Sequence, residues 1–196
     1  MTYFDPLTRH VRLTDGTIPD AAAVQTRRLR DLEGLFVDRA AERALMASDP
    51  LVYEVHEATD GPKEDGHLLF STTVLKPGRV GAEYFMTKGH FHARSDRAEL
   101  YYGLSGEGML LLQTPEGRVD VQPMIPGAAS YVPPHWGHRT INTGSEDFVF
   151  LAVYPADAGY DYGTIATYGF ASAVVAGPDG PRVIANPHYR PPASGA

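Results

Sequence analysis

The chain has no cysteine. Disulfides and thiolate ligands are thereby excluded, and any transition-metal site must be assembled from imidazole and carboxylate. Cations are also scarce: 17 Lys and Arg stand against 24 Asp and Glu, a net charge of −7. A surface of that sign repels a nucleic-acid backbone and an anionic bilayer, and no local basic patch is visible to override it. Long apolar runs are missing. The most continuous one, Phe148 to Tyr154, is far too short to cross a bilayer as a helix. The stretch Met1 to His10 lacks the basic start and apolar core of a signal peptide, which points to a cytoplasmic protein with neither nucleic acid nor membrane as partner.

What is present describes one globular domain. The 196 residues can bury a sizeable core, and 43% hydrophobic with 21% charged residues is a soluble composition. Residues 1–50 read as N-terminal strands and a helix packed on a barrel, residues 51–190 as the barrel itself, and residues 191–196 as a flexible tail. Thr14 to Thr17 is a turn signal between two short strands. Arg27 to Leu32 is basic but flanked by Asp31 and Glu33, which favours a solvated turn or helical face over a phosphate site. Asp38 to Ser48 is the best helix, with Asp38 as cap and Asp49-Pro50 as stop.

From Leu51 onward strands dominate. Apolar or β-branched stretches at Val52–His56, His67–Leu75, Glu83–Thr87, Glu99–Leu104, Met109–Gln113, Arg118–Gln122, Ala128–Val132, His138–Asn142 and Phe148–Tyr154 are separated by Gly- and Pro-containing turns. A further hairpin surrounds Gly177 to Gly180. Short strands at this spacing, with 20 Gly and 16 Pro overall, describe an all-β barrel or double-sheet jelly roll with a few short helices.

The chemistry concentrates between residues 87 and 108. In an extended chain alternate side chains share a face, so His90 and His92 present two imidazoles together with Phe91 turned away. Glu99 follows a polar turn over 93–98 that lets the chain return beside them, and the segment Pro133 to Asn142 offers a fourth ligand. Taken singly, each of these residues is more often an ordinary strand or surface side chain. Four of the chain's 8 histidines, however, fall in these two short segments. Imidazoles with a carboxylate suit Fe, Mn, Ni or Zn better than Ca or Mg, which take oxygen shells. The metal belongs inside the barrel. Tyr101 shares parity with Glu99 and should face the interior, leaving Tyr102 on the other face. Trp136 reads as core or rim packing, and His135 by default as a solvent-facing turn residue.

A His-x-His…Glu segment paired with Gly127…Pro133…His138-x-x-x-Asn142 resembles the two motifs of the cupin superfamily, with wider spacing before Glu99 than the generic pattern. Glu83 to Ala93, Asp96 to Glu99, Val132 to Pro134, Trp136, His138 to Thr140 and Tyr154 to Gly159 together resemble the cupin-type, or archaeal-type, glucose-6-phosphate isomerases. The resemblance extends from about Arg28 to about Asn186. It implies a cupin jelly-roll barrel and an enzyme, usually homodimeric, that interconverts glucose 6-phosphate and fructose 6-phosphate with one divalent ion per subunit, Fe(II) foremost and Mn(II), Ni(II) or Zn(II) as alternatives. Carried over residue by residue, His90, His92, Glu99 and His138 match the metal ligands. Thr73, Thr87 and the Gly89 amide match the phosphate positions with Tyr154 nearby, and Tyr101 matches a residue lining the sugar site. Two positions depart. Tyr160 stands where the family usually has His, and His135 where it commonly has Tyr; both are expected near the open-chain sugar.

Two routes fit aldose–ketose isomerisation beside such a metal. Glu99 can move a proton between C2 and C1 through an enediolate, or hydride can shift directly between the carbons. Metal coordination weakens Glu99 as a base, which counts against the first route unless it detaches. Two other functions compete with the isomerase: a cupin Fe(II) dioxygenase, and a sugar-phosphate-binding cupin without turnover.

Overall fold

The computed structural model describes residues 4–59 and 61–192. From residue 193 on, the expected flexible tail lies outside the described residues. In chain order the elements are β1 (Ala23–Arg28), a 3-10 turn (Leu29–Leu32), α1 (Arg39–Leu45), β2 (Leu51–Glu57), β3 (Leu68–Leu75), β4 (Arg79–Val80), β5 (Glu83–Tyr84), β6 (Glu99–Ser105) and β7 (Gly108–Gln113). There follow β8 (Val119–Met124), β9 (Ala129–Val132), β10 (Gly137–Asn142), β11 (Phe148–Pro155), α2 (Tyr162–Tyr168), β12 (Ser172–Gly177) and β13 (Gly180–Ala185). The fold is an all-β barrel of antiparallel sheets.

One antiparallel sheet of six strands runs β1-β2-β3-β11-β6-β9, and it faces a three-stranded sheet β10-β7-β8, with β13-β12-β5-β4 forming a third. Strand alternation decides the faces of the large sheet. Tyr101, Ala152, Ser71 and Glu57 lie in one cross-strand row, and Phe150, Thr73, Val55 and Gln25 in the next, all on the inner face. On the opposing sheet β10 is buried along its whole length, and β7 carries Leu110, Leu111 and Leu112, all buried. Such a continuous apolar run is what a strand covered on both faces requires. Leu110, Phe148, Ile141 and Met86 centre the core.

Most strands lie where the sequence places them, with ends shifted by a residue or two. The strand expected over Glu83–Thr87 is ladder only at Glu83–Tyr84; beyond it the chain stays extended and rejoins β10 by single bridges. The helix beginning at Asp38 is real, and the Asp38 carboxylate accepts from the Ala40 and Ala41 amides at 3.0 and 2.9 Å. It ends at Leu45 rather than Ser48, ahead of Asp49, whose φ of 41° is not helical.

The two short strands expected around Thr14–Thr17 do not form: the turn is there, but residues 4–22 hold no strand. This arm lies across the outer face of the large sheet. Gly16 packs on Val149 and Val74, and its carbonyl accepts from the Thr72 hydroxyl, so side chains rather than a ladder take up its backbone. Helix α2 was not foreseen, although Asp161 caps it, accepting from the Thr164 amide at 3.1 Å, and Gly169 ends it at φ 77°. Arg27 to Leu32 forms the expected turn, with Arg28, Arg30 and Asp31 exposed, but Leu29 and Leu32 are buried and Arg27 lines the interior cavity. Among the described residues no helix is long and apolar enough to cross a membrane.

Glu83 is buried, and its Oε2 accepts from the Val37 amide at 2.6 Å. Burial pushes its carboxyl up to about 7, against the pull of the Val37 amide, Arg139 and Arg39 and with a push from Glu42. A folded-state value above the unfolded one gives stability that is complete below the ordinary carboxyl range and is lost as pH rises through about 7. Thermal unfolding of the wild type relative to Glu83→Gln should therefore weaken on going from pH 5 to pH 8, by on the order of 2 kcal/mol. Parallel pH profiles of the two proteins would show that Glu83 titrates normally.

Candidate metal centre and cavity

Both sheets contribute to one cluster. Residues 85–92 run antiparallel to β10, joined by the bridges Met86↔Ile141 and His90↔His138, with His90 N–H donating to His138 O at 3.1 Å and the reverse bond at 3.0 Å. The bridge makes His90 and His138 direct neighbours, their ring centroids 4.5 Å apart. Two residues on, His92 falls on the same side, 5.3 Å from the His138 ring, while Phe91 turns away to pack where a side chain at Gly137 would otherwise sit. Glu99 arrives from the opposing sheet at the start of β6, after the turn over 93–98. The ligating atoms of His90, His92, Glu99 and His138 all lie within 4.8 Å of one another.

The hydrogen bonds of the histidines orient this cluster toward a cation. His92 Nδ1 lies 2.9 Å from the Arg97 carbonyl and His138 Nδ1 lies 3.3 Å from the Trp136 carbonyl. A carbonyl only accepts, so in each neutral ring Nδ1 carries the proton and Nε2 a lone pair. Both Nε2 atoms point at the same oxygen, Glu99 Oε2, each at 3.1 Å. Lone pairs converging on a carboxylate repel one another until a cation lies among them, and the buried His138 Nε2 makes no hydrogen bond of its own. Three imidazole nitrogens and one carboxylate oxygen are the donor set of a borderline divalent ion, so the residues fit the metal.

Charge states agree with that fit. Burial opposes the charge of Glu99, but its proximity to the His138, His92 and His90 rings outweighs it and holds the carboxyl below the ordinary range, so Glu99 enters the cluster as a carboxylate. Burial, reinforced by His138, pushes His90 far below the ordinary imidazole range, so its ring is neutral, the form a metal ligand requires. For His92 burial pulls down, yet Glu99 more than offsets it and the value rises.

His90, Glu99 and His138 open onto a cavity of about 270 Å³. Its wall also includes Thr73, Thr87, Gly89, Tyr101, Tyr154 and Tyr160, so the expected substrate-site residues other than His135 reach this one space. Tyr101 is buried and Tyr102 is 42% exposed, as parity requires. Thr87 Oγ1 lies 3.2 Å from Thr140 Oγ1 and accepts from the Thr140 amide at 3.0 Å. Tyr160 covers the His90 ring at 4.8 Å, stacks on Tyr162 with ring centroids 5.7 Å apart, and donates to the Tyr154 hydroxyl at 3.2 Å.

Of the two departures from the family pattern, only Tyr160 lines the cavity. His135 is an exposed turn residue at φ 70°, its amide bound to the Ser95 carbonyl at 2.6 Å.

Sequence reading missed Tyr53, Tyr162, Arg27 and Glu57, which also line the cavity. Alternation puts Tyr53 and Glu57 on one face of β2, but only the pairing Val55↔Thr73 shows that this face is the inner one.

The match to known proteins follows this geometry. The family model described as Glucose-6-phosphate isomerase (GPI) covers residues 26–189. The chain belongs to that family. It is 51% identical over 190 residues to a glucose-6-phosphate isomerase of Thermococcus kodakarensis, spanning 97% of this chain and 100% of that protein. It is also 51% identical over 189 residues to a glucose-6-phosphate isomerase of Pyrococcus horikoshii, spanning 96% of this chain and 99% of that one. Among solved structures, an oxalate decarboxylase aligns with a TM-score of 0.42 at 23% identity, over 56% of this chain and 27% of that one.

At Gly89, on the cavity wall, the backbone leaves no room for a side chain. Its φ is 74°, and a Cβ there would lie 2.7 Å from Phe170 Cε2 and 2.9 Å from Arg139 Cβ. Gly89→Ala should cost about 1–3 kcal/mol in chemical unfolding and shift the Lys88–Gly89 peptide. An unchanged unfolding midpoint would show that the wall relaxes freely.

Proposed function

We propose that the protein interconverts glucose 6-phosphate and fructose 6-phosphate as a metal-dependent aldose–ketose isomerase. One observation carries the reading: the His90, His92, Glu99 and His138 cluster and the hydroxyl-bearing wall formed by Thr73, Thr87 and Tyr154 share a single cavity. Family membership supports it along almost the whole chain. His90, His92, Glu99 and His138 would hold one divalent ion, Fe(II) foremost, with Mn(II), Ni(II) or Zn(II) as alternatives. When bound, the ion supplies Lewis-acid stabilisation of negative charge developing on the sugar oxygens.

The chain's own groups do the rest. The hydroxyls of Thr73 and Thr87, the Gly89 amide and the Tyr154 hydroxyl would receive the phosphate, fixing the sugar chain along the large sheet toward β6. Tyr101, buried beside Glu99 with its phenol pushed well up by burial, stays protonated and can only present a neutral hydroxyl to the sugar. Tyr160 and Tyr162 shield the opening from water. Glu99 is the acid–base group of this reading. Its other oxygen, turned away from the two imidazoles, would take the proton from C2 as the C2–H electron pair forms the C1–C2 double bond and the C1 carbonyl pair moves onto O1. The enediolate would then take that proton back at C1 while the O2 proton passes to O1, leaving the ketone at C2.

In the second route hydride passes from C2 to C1 while the O2 proton passes to O1, and the carboxylate only binds. Turnover in deuterated water separates them: proton transfer through Glu99 leaves solvent deuterium in the product, and hydride shift leaves none. Homodimeric assembly and cytoplasmic location belong to the same proposal.

Protein stripped by a chelator should lose conversion of fructose 6-phosphate and regain it with Fe(II), Mn(II), Ni(II) or Zn(II), equally with and without air. On the proton-transfer route Glu99→Gln should lower kcat by about 10²–10⁴ even when metal content is restored, whereas on the hydride route restored metal should return most of it. Oxygen consumption would establish dioxygenase chemistry instead. Saturable sugar-phosphate binding without turnover in every metallated sample would leave a binding protein.

A further inference from the structure

The inner face of the large sheet has two ends. At one, β6 places Glu99 and Tyr101 against the metal ligands. At the other, β1 is the edge strand, and its alternation turns Gln25 and Arg27 inward. Cross-strand register joins them: Gln25, Val55, Thr73 and Phe150 form one row across β1, β2, β3 and β11, and Arg27 stands next to Tyr53 in the adjacent one. Only two strand spacings, roughly 10 Å, separate β1 from Thr73 on β3, a gap that an arginine side chain and a phosphate group can close from its two sides.

Arg27 is half-buried, and its guanidinium, at the solvent-exposed edge of the cavity, is held by neutral acceptors alone. Nη1 donates to the Thr26 carbonyl at 2.9 Å and Nη2 to Gln25 Oε1 at 2.8 Å, and no carboxylate among the described residues forms an ion pair with it. Gln25 is in turn fixed by a hydrogen bond from its Nε2 to Glu57 Oε1. Its positive charge is felt within the cavity, where it draws down the phenols of Tyr53 and Tyr162 against burial. Thr73, Thr87, Gly89 and Tyr154 offer only neutral donors, which suit a dianion incompletely. Arg27 is the one permanent cation among the described residues of the wall.

We propose that Arg27 is a specificity-determining residue that pairs with the phosphate dianion of the substrate at the β1 end of the cavity, with Gln25 as the positioning residue that aims it. The inference rests on the sugar-phosphate reading above. The fork of the guanidinium fits two phosphate oxygens while the metal end holds the reacting carbons, so Arg27 selects phosphorylated sugars over free ones.

The test measures inorganic phosphate binding by calorimetry, and the KM and kcat for fructose 6-phosphate, on metal-loaded wild type, Arg27→Gln and Arg27→Lys. In Arg27→Gln the phosphate Kd and the KM should each rise about 10–100-fold, more than kcat falls, with metal content unchanged. Arg27→Lys, which keeps the charge without the fork, should recover part of the loss, and it carries the test should the glutamine variant not fold. Phosphate affinity and KM equal in all three proteins would overturn the role of Arg27 while leaving the isomerase intact. Phosphate binding lost in Arg27→Gln, in a wild type that turns over no sugar phosphate, would sustain Arg27 and defeat the isomerase instead.

Discussion

The convergence of two imidazole lone pairs on one oxygen of Glu99 is the constraint around which this barrel is arranged. The interaction is unfavourable without a cation, and it is buried, so the surrounding structure must hold it in place. That hold comes from both sheets at once. The His90↔His138 bridge ties residues 85–92 to β10, the Arg97 and Trp136 carbonyls fix the ring orientations, and Glu99 comes from β6 on the facing sheet. A metal ion here would fasten the two sheets of the fold together. Binding and folding are then linked, because an ion that binds only the folded chain stabilises it by mass action.

Legibility in the sequence followed the range of the physics. The pair His90 and His92 was readable because strand alternation is a local rule, and so was Tyr101, by its parity with Glu99. The buried run Leu110 to Leu112 and the Asp38 cap were readable for the same reason. Gly89 fits the pattern, since its backbone could be suspected from its place in the motif although its close neighbours, Phe170 and Arg139, are remote in the chain. The pairing of the cluster with His138 was harder and came through resemblance, because nothing local says that β10 lies beside residues 85–92.

Two readings ahead of the first helix failed where tertiary contacts override local preference. Residues around Thr14–Thr17 alternate enough to suggest strands, but a strand needs a free edge to pair with, and this arm instead lies flat on the large sheet with Thr72 binding the Gly16 carbonyl. Arg27 was misjudged for a related reason. Asp31 and Glu33 neutralise it along the sequence, but alternation and the turn at Leu29 put them elsewhere in space. Asp31 caps the Arg28 amide at 2.7 Å, leaving Arg27 on the inner face. Charge counted along a chain and charge felt in a cavity are different quantities.

That difference bears on how an acidic protein takes a dianion. A net charge of −7 repels the substrate at long range, and the Glu99 carboxylate, ionised and buried, repels it at the site. Attraction must then be local, and it must act at both ends of the substrate. At the β6 end a bound divalent ion more than cancels Glu99. At the β1 end Glu57, whose carboxylate would repel the phosphate, is engaged by the Gln25 amide, and the same Gln25 presents the guanidinium of Arg27. With positive charge at each end and neutral hydroxyls between, a molecule with a phosphate at one terminus and electron-rich oxygens at the other is held in a single direction. Isomerisation between C1 and C2 requires that direction, because only the carbons farthest from the phosphate then lie against Glu99.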